Sequence, residues 1–137
     1  MYLTYADPIP ELSIGSDWEC GCFADDFDRD LPYLVPGSST FRISQQGCIR
    51  ACHEAGYDFA GLQNGGECWC GNDAGSYGPS TACSMGCPAY NDAGCYNDAE
   101  SCSCGGALAN NIFKTTSNVE CRKCFFAVLP IPRYRFA

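Results

Sequence analysis

The sequence is short of the residues that build an ordinary hydrophobic interior: Leu, Ile, Val and Phe together number 24 of 137. That is thin for a core that must hold by burial alone. No apolar run reaches the ~18 residues that a membrane-spanning helix requires, so membrane insertion is not expected. Lys and Arg total 8 against 16 acids. The formal charge of -8 argues against nucleic acid and anionic membrane surfaces, because both need basic stripes that release counterions. There is one histidine, His53, and no Asn-x-Ser/Thr sequon. Glycosylation, if present, is expected on Ser or Thr, as in Ser38, Ser39, Thr40, Ser80, Thr81 and the Thr115 to Ser117 run. Neither a basic segment nor an apolar run follows Met1, so a mature or excised chain is expected.

What is abundant is cysteine, with 13 in 137 residues. Cys20/Cys22, Cys68/Cys70 and Cys102/Cys104 are C-x-C pairs, Cys48/Cys52 and Cys83/Cys87 are C-x-x-x-C pairs, and Cys121/Cys124 is a C-x-x-C. This density implies a disulfide scaffold in an oxidising, extracellular or cell-surface setting. Crosslinks then supply stability that burial cannot, about 2–4 kcal/mol each in the chain-entropy account.

The clearest local structure lies in the middle of the chain. Ser44 is placed as an N-cap, residues 45–55 have helix-compatible types, and Gly56 stands where a left-handed C-terminal cap belongs. The spacing predicts one short helix over 45–55. Cys48 and Cys52, four apart, leave one face of it. Residues 57–63 and 67–70 read as two strands around Asn64-Gly65-Gly66, a hairpin. Cys68 and Cys70 share a strand face, so they can meet the two helix thiols and staple helix to hairpin twice.

Gly21-Cys22-Phe23-Ala24-Asp25 through Arg29-Asp30-Leu31, Cys48 and Cys52, Gly56-Tyr57-Asp58-Phe59-Ala60-Gly61, Glu67-Cys68-Trp69-Cys70-Gly71-Asn72, Cys83 and Cys87, and Cys104-Gly105-Gly106 follow one another in a familiar order. Over residues 21–113 the chain closely resembles the WSC domain. The resemblance implies a small disulfide-rich α+β fold, PAN/apple-like, with one short helix packed on a small antiparallel sheet. It further implies the pairs Cys48–Cys68, Cys52–Cys70, Cys22–Cys83 and Cys87–Cys104, and a role in binding carbohydrate at fungal or animal cell surfaces.

Three features depart from that pattern. Sixteen residues separate Cys87 from Cys104, which reads as an inserted loop over about 88–103 closed by its own Cys95–Cys102 bridge. Residues 1–20 and 114–137 form extended N- and C-terminal arms. They carry Cys20, Cys121 and Cys124, of which one is left over after a single disulfide.

Catalysis finds little support. His53 follows a helix cysteine that the bridges consume, so no thiol is left for it to activate. Asp25 and Asp26 belong to an acidic stretch with no second motif to position a substrate. Asp26-Phe27-Asp28-Arg29-Asp30 copies the opening of a calcium loop, but Leu31 stands where glycine is needed and Gly37 where the closing Glu belongs, which excludes an EF-hand. No metal and no cofactor is assigned, and Cys121-Arg122-Lys123-Cys124 reads as structural thiols rather than half a zinc site.

Carbohydrate binding is the best reading of the core. With Cys68 and Cys70 facing the helix, Trp69 must face away. A rigid aromatic there can stack on a pyranose, with Tyr57 and Phe59, and Tyr77, Tyr90 and Tyr96 on loops, extending the platform. Asn72, Asp73 and Gln63 would supply hydrogen bonds. The opposing reading has Trp69 covering a second small core. Asp25, Arg29 and Glu67 read as structural, through a partly buried salt bridge.

The arms suggest an alternative function. Residues 1–30 carry eight acids against Arg29, and residues 114–137 five bases against Glu120. Phe125, Phe126, Val128, Leu129 and Ile131 form an apolar, proline-bounded tail that could lie against another copy in a filament or matrix. Otherwise the arms pair on their own domain, for instance through Cys20 bonded to Cys121 or Cys124. The sequence therefore reads as a secreted, non-enzymatic module that binds polysaccharide or glycan matrix, with a homopolymeric structural subunit as the alternative.

Overall fold

The computed structural model describes residues 18–40, 43–88 and 102–121. Ser44 starts α1 (Gln45–Glu54) by accepting the Gly47 N–H at 2.9 Å. Gly56, at φ +91°, stops it. The Gly56 N–H reaches the carbonyl of His53 and the Tyr57 N–H that of Cys52, both at 3.0 Å, a Schellman termination that satisfies the last helical carbonyls. The expected boundaries thus hold to within a residue.

The hairpin forms from β3 (Phe59–Gln63) and β4 (Glu67–Gly71), antiparallel from Phe59↔Gly71 to Gln63↔Glu67. Asn64 and Gly65 turn the chain with φ of 57° and 83°, the left-handed values that Asn and Gly tolerate best. Three further strands complete one sheet: β1 (Glu19–Ala24), β2 (Tyr33–Leu34) and β5 (Ala109–Lys114), in the order β1-β5-β3-β4-β2. β5 lies between β1 and β3, antiparallel to both, so strands distant in sequence close the domain.

Five disulfides between described residues fix this arrangement. Cys48–Cys68 and Cys52–Cys70 join α1 to β4, while Cys22–Cys83 and Cys87–Cys104 tie the loop region of residues 78–88 to β1 and to the approach to β5. All four pairs that the family resemblance implies are present. Cys20–Cys121, with a sequence separation of 101, bonds β1 to the stretch beyond β5, which selects one of the two partners left open for Cys20. Cys102 is disulfide-bonded as well. The Cys95–Cys102 pairing, Cys124 and the tail residues Phe125, Phe126, Val128, Leu129 and Ile131 fall on or involve residues outside the described ones.

Two cores lie on opposite faces of the sheet. Between α1 and the sheet, Ile49, Leu62, Phe113, Ile43 and Trp18 pack with Cys48, Cys52, Cys68 and Cys70. On the far face, Leu31, Phe59, Ala74 and Ile112 form a smaller cluster with Phe23 and Trp69 against it. Leu31 can enter because the sheet beneath it is bare. A Cβ on Gly61 would stand 2.4 Å from Leu31 Cδ1, and one on Gly71 3.0 Å from Leu31 Cδ2.

Gly105 has a stricter constraint. Its φ is +83°, and a Cβ there would lie 2.0 Å from the Leu62 carbonyl oxygen and 2.6 Å from that of Ala109. Backbone cannot retreat as a side chain can, so Gly105→Ala is expected to prevent folding. Gly61→Ala should leave a folded protein destabilised by about 1–3 kcal/mol through overpacking of Leu31. Urea denaturation of both variants checks the contrast, and a fully stable Gly105→Ala would refute it.

Candidate functional site

The sheet face away from α1 carries the polar and aromatic groups that the fold brings together. Paired residues on neighbouring strands share a face. Glu67, Gln63 and Asn110 therefore form one row and Leu34, Trp69, Gly61 and Ile112 the next. Above these rows lies the loop of residues 25–30.

The loop is held from both ends. The Asp25 carboxylate accepts the Asp30 N–H, Arg29 Nη1 and Gln63 Nε2, each at 2.9 Å. The Asp30 carboxylate accepts the Gly75 and Ser76 N–H groups at 2.8 and 3.2 Å, and the Tyr77 hydroxyl donates to the Asp28 carbonyl. Arg29 also donates to Gln63 Oε1 at 3.2 Å. Its guanidinium lies 4.6 Å from the Trp69 ring centroid and 6.0 Å from that of Phe27, within cation–π range. Trp69 Nε1 in turn donates to Glu67 at 3.1 Å. Phe27, Arg29 and Trp69 thus make a layered surface, and Phe27 is left 81% exposed.

Several residues differ in placement from what the sequence suggested. Trp69 does face away from the helix, but it is half-buried over the second core with Arg29 on its ring, so it is not a bare stacking platform. Phe59 is fully buried; its alternate position in β3 points it into the second core, which corrects its assignment to a surface platform. Gln63 is 2% exposed and spends its amide on Asp25 and Arg29, so it is a structural group and no surface donor. Tyr57, Asn72 and Asp73 do not join Trp69: Tyr57 packs against the helix-side core, and the exposed Asn72 accepts the Asp58 N–H at 3.0 Å. Tyr77 is exposed at the acidic loop. Tyr90 and Tyr96 lie outside the described residues.

The expected salt bridge is present between Asp25 and Arg29, whereas Glu67 bonds Trp69. Of the calcium-like acids, Asp30 is committed to backbone partners, and Asp25 beside them to backbone, amide and guanidinium, which leaves both with structural work. Phe27 and Tyr33 are the surface residues that sequence reasoning missed. The only signal was Phe27's place among four aspartates, a position where an apolar side chain has no core to enter.

Remote from this face, a groove of about 480 Å³ runs along Gly47, Arg50, Ala51, Glu54 and Ala55 on the outer side of α1. Cys48, Cys52 and Cys68 form a cluster of metal-ligand type, but all three are in disulfides and offer no thiolate.

Electrostatics distinguish two groups. Burial alone would raise the Asp25 carboxyl, but the Asp30 N–H, Arg29 and Gln63 together hold it below the usual carboxylate range. Desolvation, then the carboxylates of Asp28, Asp26, Asp25 and Asp30, push the Tyr77 phenol up.

A small helix on a five-stranded antiparallel sheet, crosslinked throughout and presenting an aromatic surface on a rigid loop, defines a disulfide-stapled module of the extracellular type. The WSC domain model matches residues 20–97, and the chain belongs to that family. It is 36% identical over 98 residues to xylosyltransferase oxt of Drosophila melanogaster, covering 69% of this chain and 10% of that protein. Kremen protein 2 of Homo sapiens is 34% identical over 71 residues, 49% of this chain and 15% of that protein. A putative fungistatic metabolite of Chaetomium globosum is 38% identical over 71 residues, 50% of this chain and 31% of that protein. The chain thus spans between about a tenth and a third of the length of these relatives.

The depressed Asp25 value has a consequence for stability. A carboxyl that titrates lower in the folded state contributes stability above its unfolded value, near 3.9, and that contribution is lost as pH falls through the folded value. The urea midpoint is therefore expected to drop below about pH 4 more steeply in the unmodified protein than in Asp25→Asn. Parallel pH profiles for the two proteins would contradict this assignment.

Proposed function

We propose that this chain is a non-enzymatic extracellular module that binds polysaccharide through the surface built from Phe27, Arg29 and Trp69. The observation that carries the reading is Phe27. A large aromatic left in water costs on the order of 1.5–3 kcal/mol of burial forgone, yet the loop that displays it is fixed by Asp25, Asp30 and Tyr77. Rigid presentation of an exposed ring lowers the entropy lost when a ligand docks. Beside it Arg29 and Glu67 supply a donor and an acceptor for hydroxyls, and family membership supports a carbohydrate-binding type of module.

The non-enzymatic part of the reading is supported by the commitments of the candidate groups. Cys52, next to His53, is bonded to Cys70. Asp25, one of the acid pair, is locked by three hydrogen bonds. The disulfide scaffold supports secretion, since such bonds persist in oxidising compartments. Among the described residues, no helix is long and apolar enough to cross a membrane.

Co-sedimentation with insoluble β-glucan and xylan tests the assignment. The unmodified protein is expected to be retained, and Phe27→Ala to lose about tenfold in affinity, or about 1.4 kcal/mol, with its denaturation midpoint unchanged. If neither polysaccharide retains the unmodified protein, the function is wrong and the family resemblance has conveyed only the fold.

A further inference from the structure

We infer that the module has a second sugar-binding platform, made by Tyr33 stacked on Tyr57 beside Asn72, and that it therefore engages two stretches of a neutral polysaccharide at once. This rests on the polysaccharide reading above but uses different residues on the opposite side of the sheet. β2 is an edge strand of two residues between Pro32 and Pro36, and its side chains alternate between faces. Leu34 pairs with Trp69 and so lies on the Phe27 side, whereas Tyr33 pairs with Cys70 and so lies on the helix side.

There the Tyr33 ring lies 5.4 Å from the Tyr57 ring, the two planes 18° apart. Tyr57 packs against the helix-side core, which anchors the lower ring, while Tyr33 above it is 38% exposed. Stacking on an anchored ring fixes the orientation of an exposed one, so a flat apolar surface is presented at low entropic cost. The exposed Asn72 carboxamide is tied through Oδ1 to the N–H of Asp58, the residue after Tyr57, which fixes it beside the backbone that carries the lower ring. A pre-set ring with a fixed side-chain amide suits a pyranose, whose apolar face stacks while its hydroxyls take hydrogen bonds.

The charge around this platform selects the ligand class. In the chain Asp58 follows Tyr57 and Asp73 follows Asn72, so two carboxylates belong to the segments that carry the platform. The Lys and Arg side chains among the described residues lie elsewhere: Arg29 on the opposite face, Lys114 over the Trp18 ring, and Arg50 along the outer groove of α1. With two carboxylates on these segments and the described bases held by other contacts, the platform suits a neutral hexose or pentose chain better than a uronate or sulfated one.

Titration calorimetry with a soluble oligomer of the retained polysaccharide, β-glucan or xylan, reads the stoichiometry. Two equivalents per chain are expected, falling to one in Tyr33→Ala and to one in Phe27→Ala, with none in the double variant. Tyr33→Phe, which keeps the ring stack, should retain two. Near-ultraviolet circular dichroism and the disulfide map verify that Tyr33→Ala is folded; if it is not, Tyr33→Leu, which keeps apolar bulk without a flat ring, takes its place and should likewise read one. A single equivalent abolished by Phe27→Ala and untouched by Tyr33→Ala would overturn the second platform and leave the function standing. A single equivalent abolished by Tyr33→Ala alone would overturn two-site binding and displace the Phe27 surface. Equal binding of a polyuronate would overturn the ligand class, and no binding by the unmodified protein would end both readings.

Discussion

The fold depends on the double crosslink between α1 and β4. Cys48–Cys68 and Cys52–Cys70 take two thiols one helical turn apart and two thiols on one strand face and lock them together. A helix of ten residues is marginal by itself in water. Bonded at two successive turns to the hairpin it becomes a lid on the sheet, and Ile49, Leu62 and Phe113 can close a core too small to persist unaided. With an i,i+2 spacing, facing both cysteines to the helix also forces Trp69 to the far side. The same constraint that builds the first core thus supplies the second with its aromatic wall.

That second face is organised by absence and by charge. Gly61 and Gly71 leave a bare patch of sheet into which Leu31 descends. Leu31 directly follows the acidic loop, whose Asp25 and Arg29 bond Gln63. A carboxylate brought so close to an apolar cluster must be paired, because an unpaired buried charge costs several kcal/mol, and Asp25 meets this with a guanidinium, an amide and a backbone N–H. The loop that results is rigid, yet it leaves Phe27 in solvent. The anchoring of the loop and the display of its aromatic ring therefore come from one set of contacts: the network that satisfies Asp25 also holds Arg29 over Trp69 with Phe27 in reach of the same guanidinium.

Both sides of the sheet present aromatic rings near the β2–β4 edge, with different supports. On one side a cation separates Phe27 from Trp69; on the other Tyr33 rests directly on Tyr57. On the first side Arg29 is itself engaged by Asp25.

Local chemistry was legible in the sequence and non-local placement was not. Ser44, Gly56 and Asn64-Gly65 specify the ends of α1 and the turn of the hairpin through backbone preferences of a few residues, and cysteine spacing showed that helix and hairpin could be joined twice. Which cysteines pair was implied by family resemblance, because spacing alone leaves the choice open. The place of β5 between β1 and β3, the choice of Cys121 over Cys124 for Cys20, and the burial of Phe59 and Gln63 required the tertiary structure. Strand order and long-range closure depend on contacts between segments up to 101 residues apart, which no local pattern encodes. The candidate site shows the same division. Alternation in β4 sent Trp69 outward, but only the descent of Leu31 onto two glycines brought Arg29 over its ring and left Phe27 as the exposed aromatic, and only the pairing of the edge strand with β4 set Tyr33 on Tyr57.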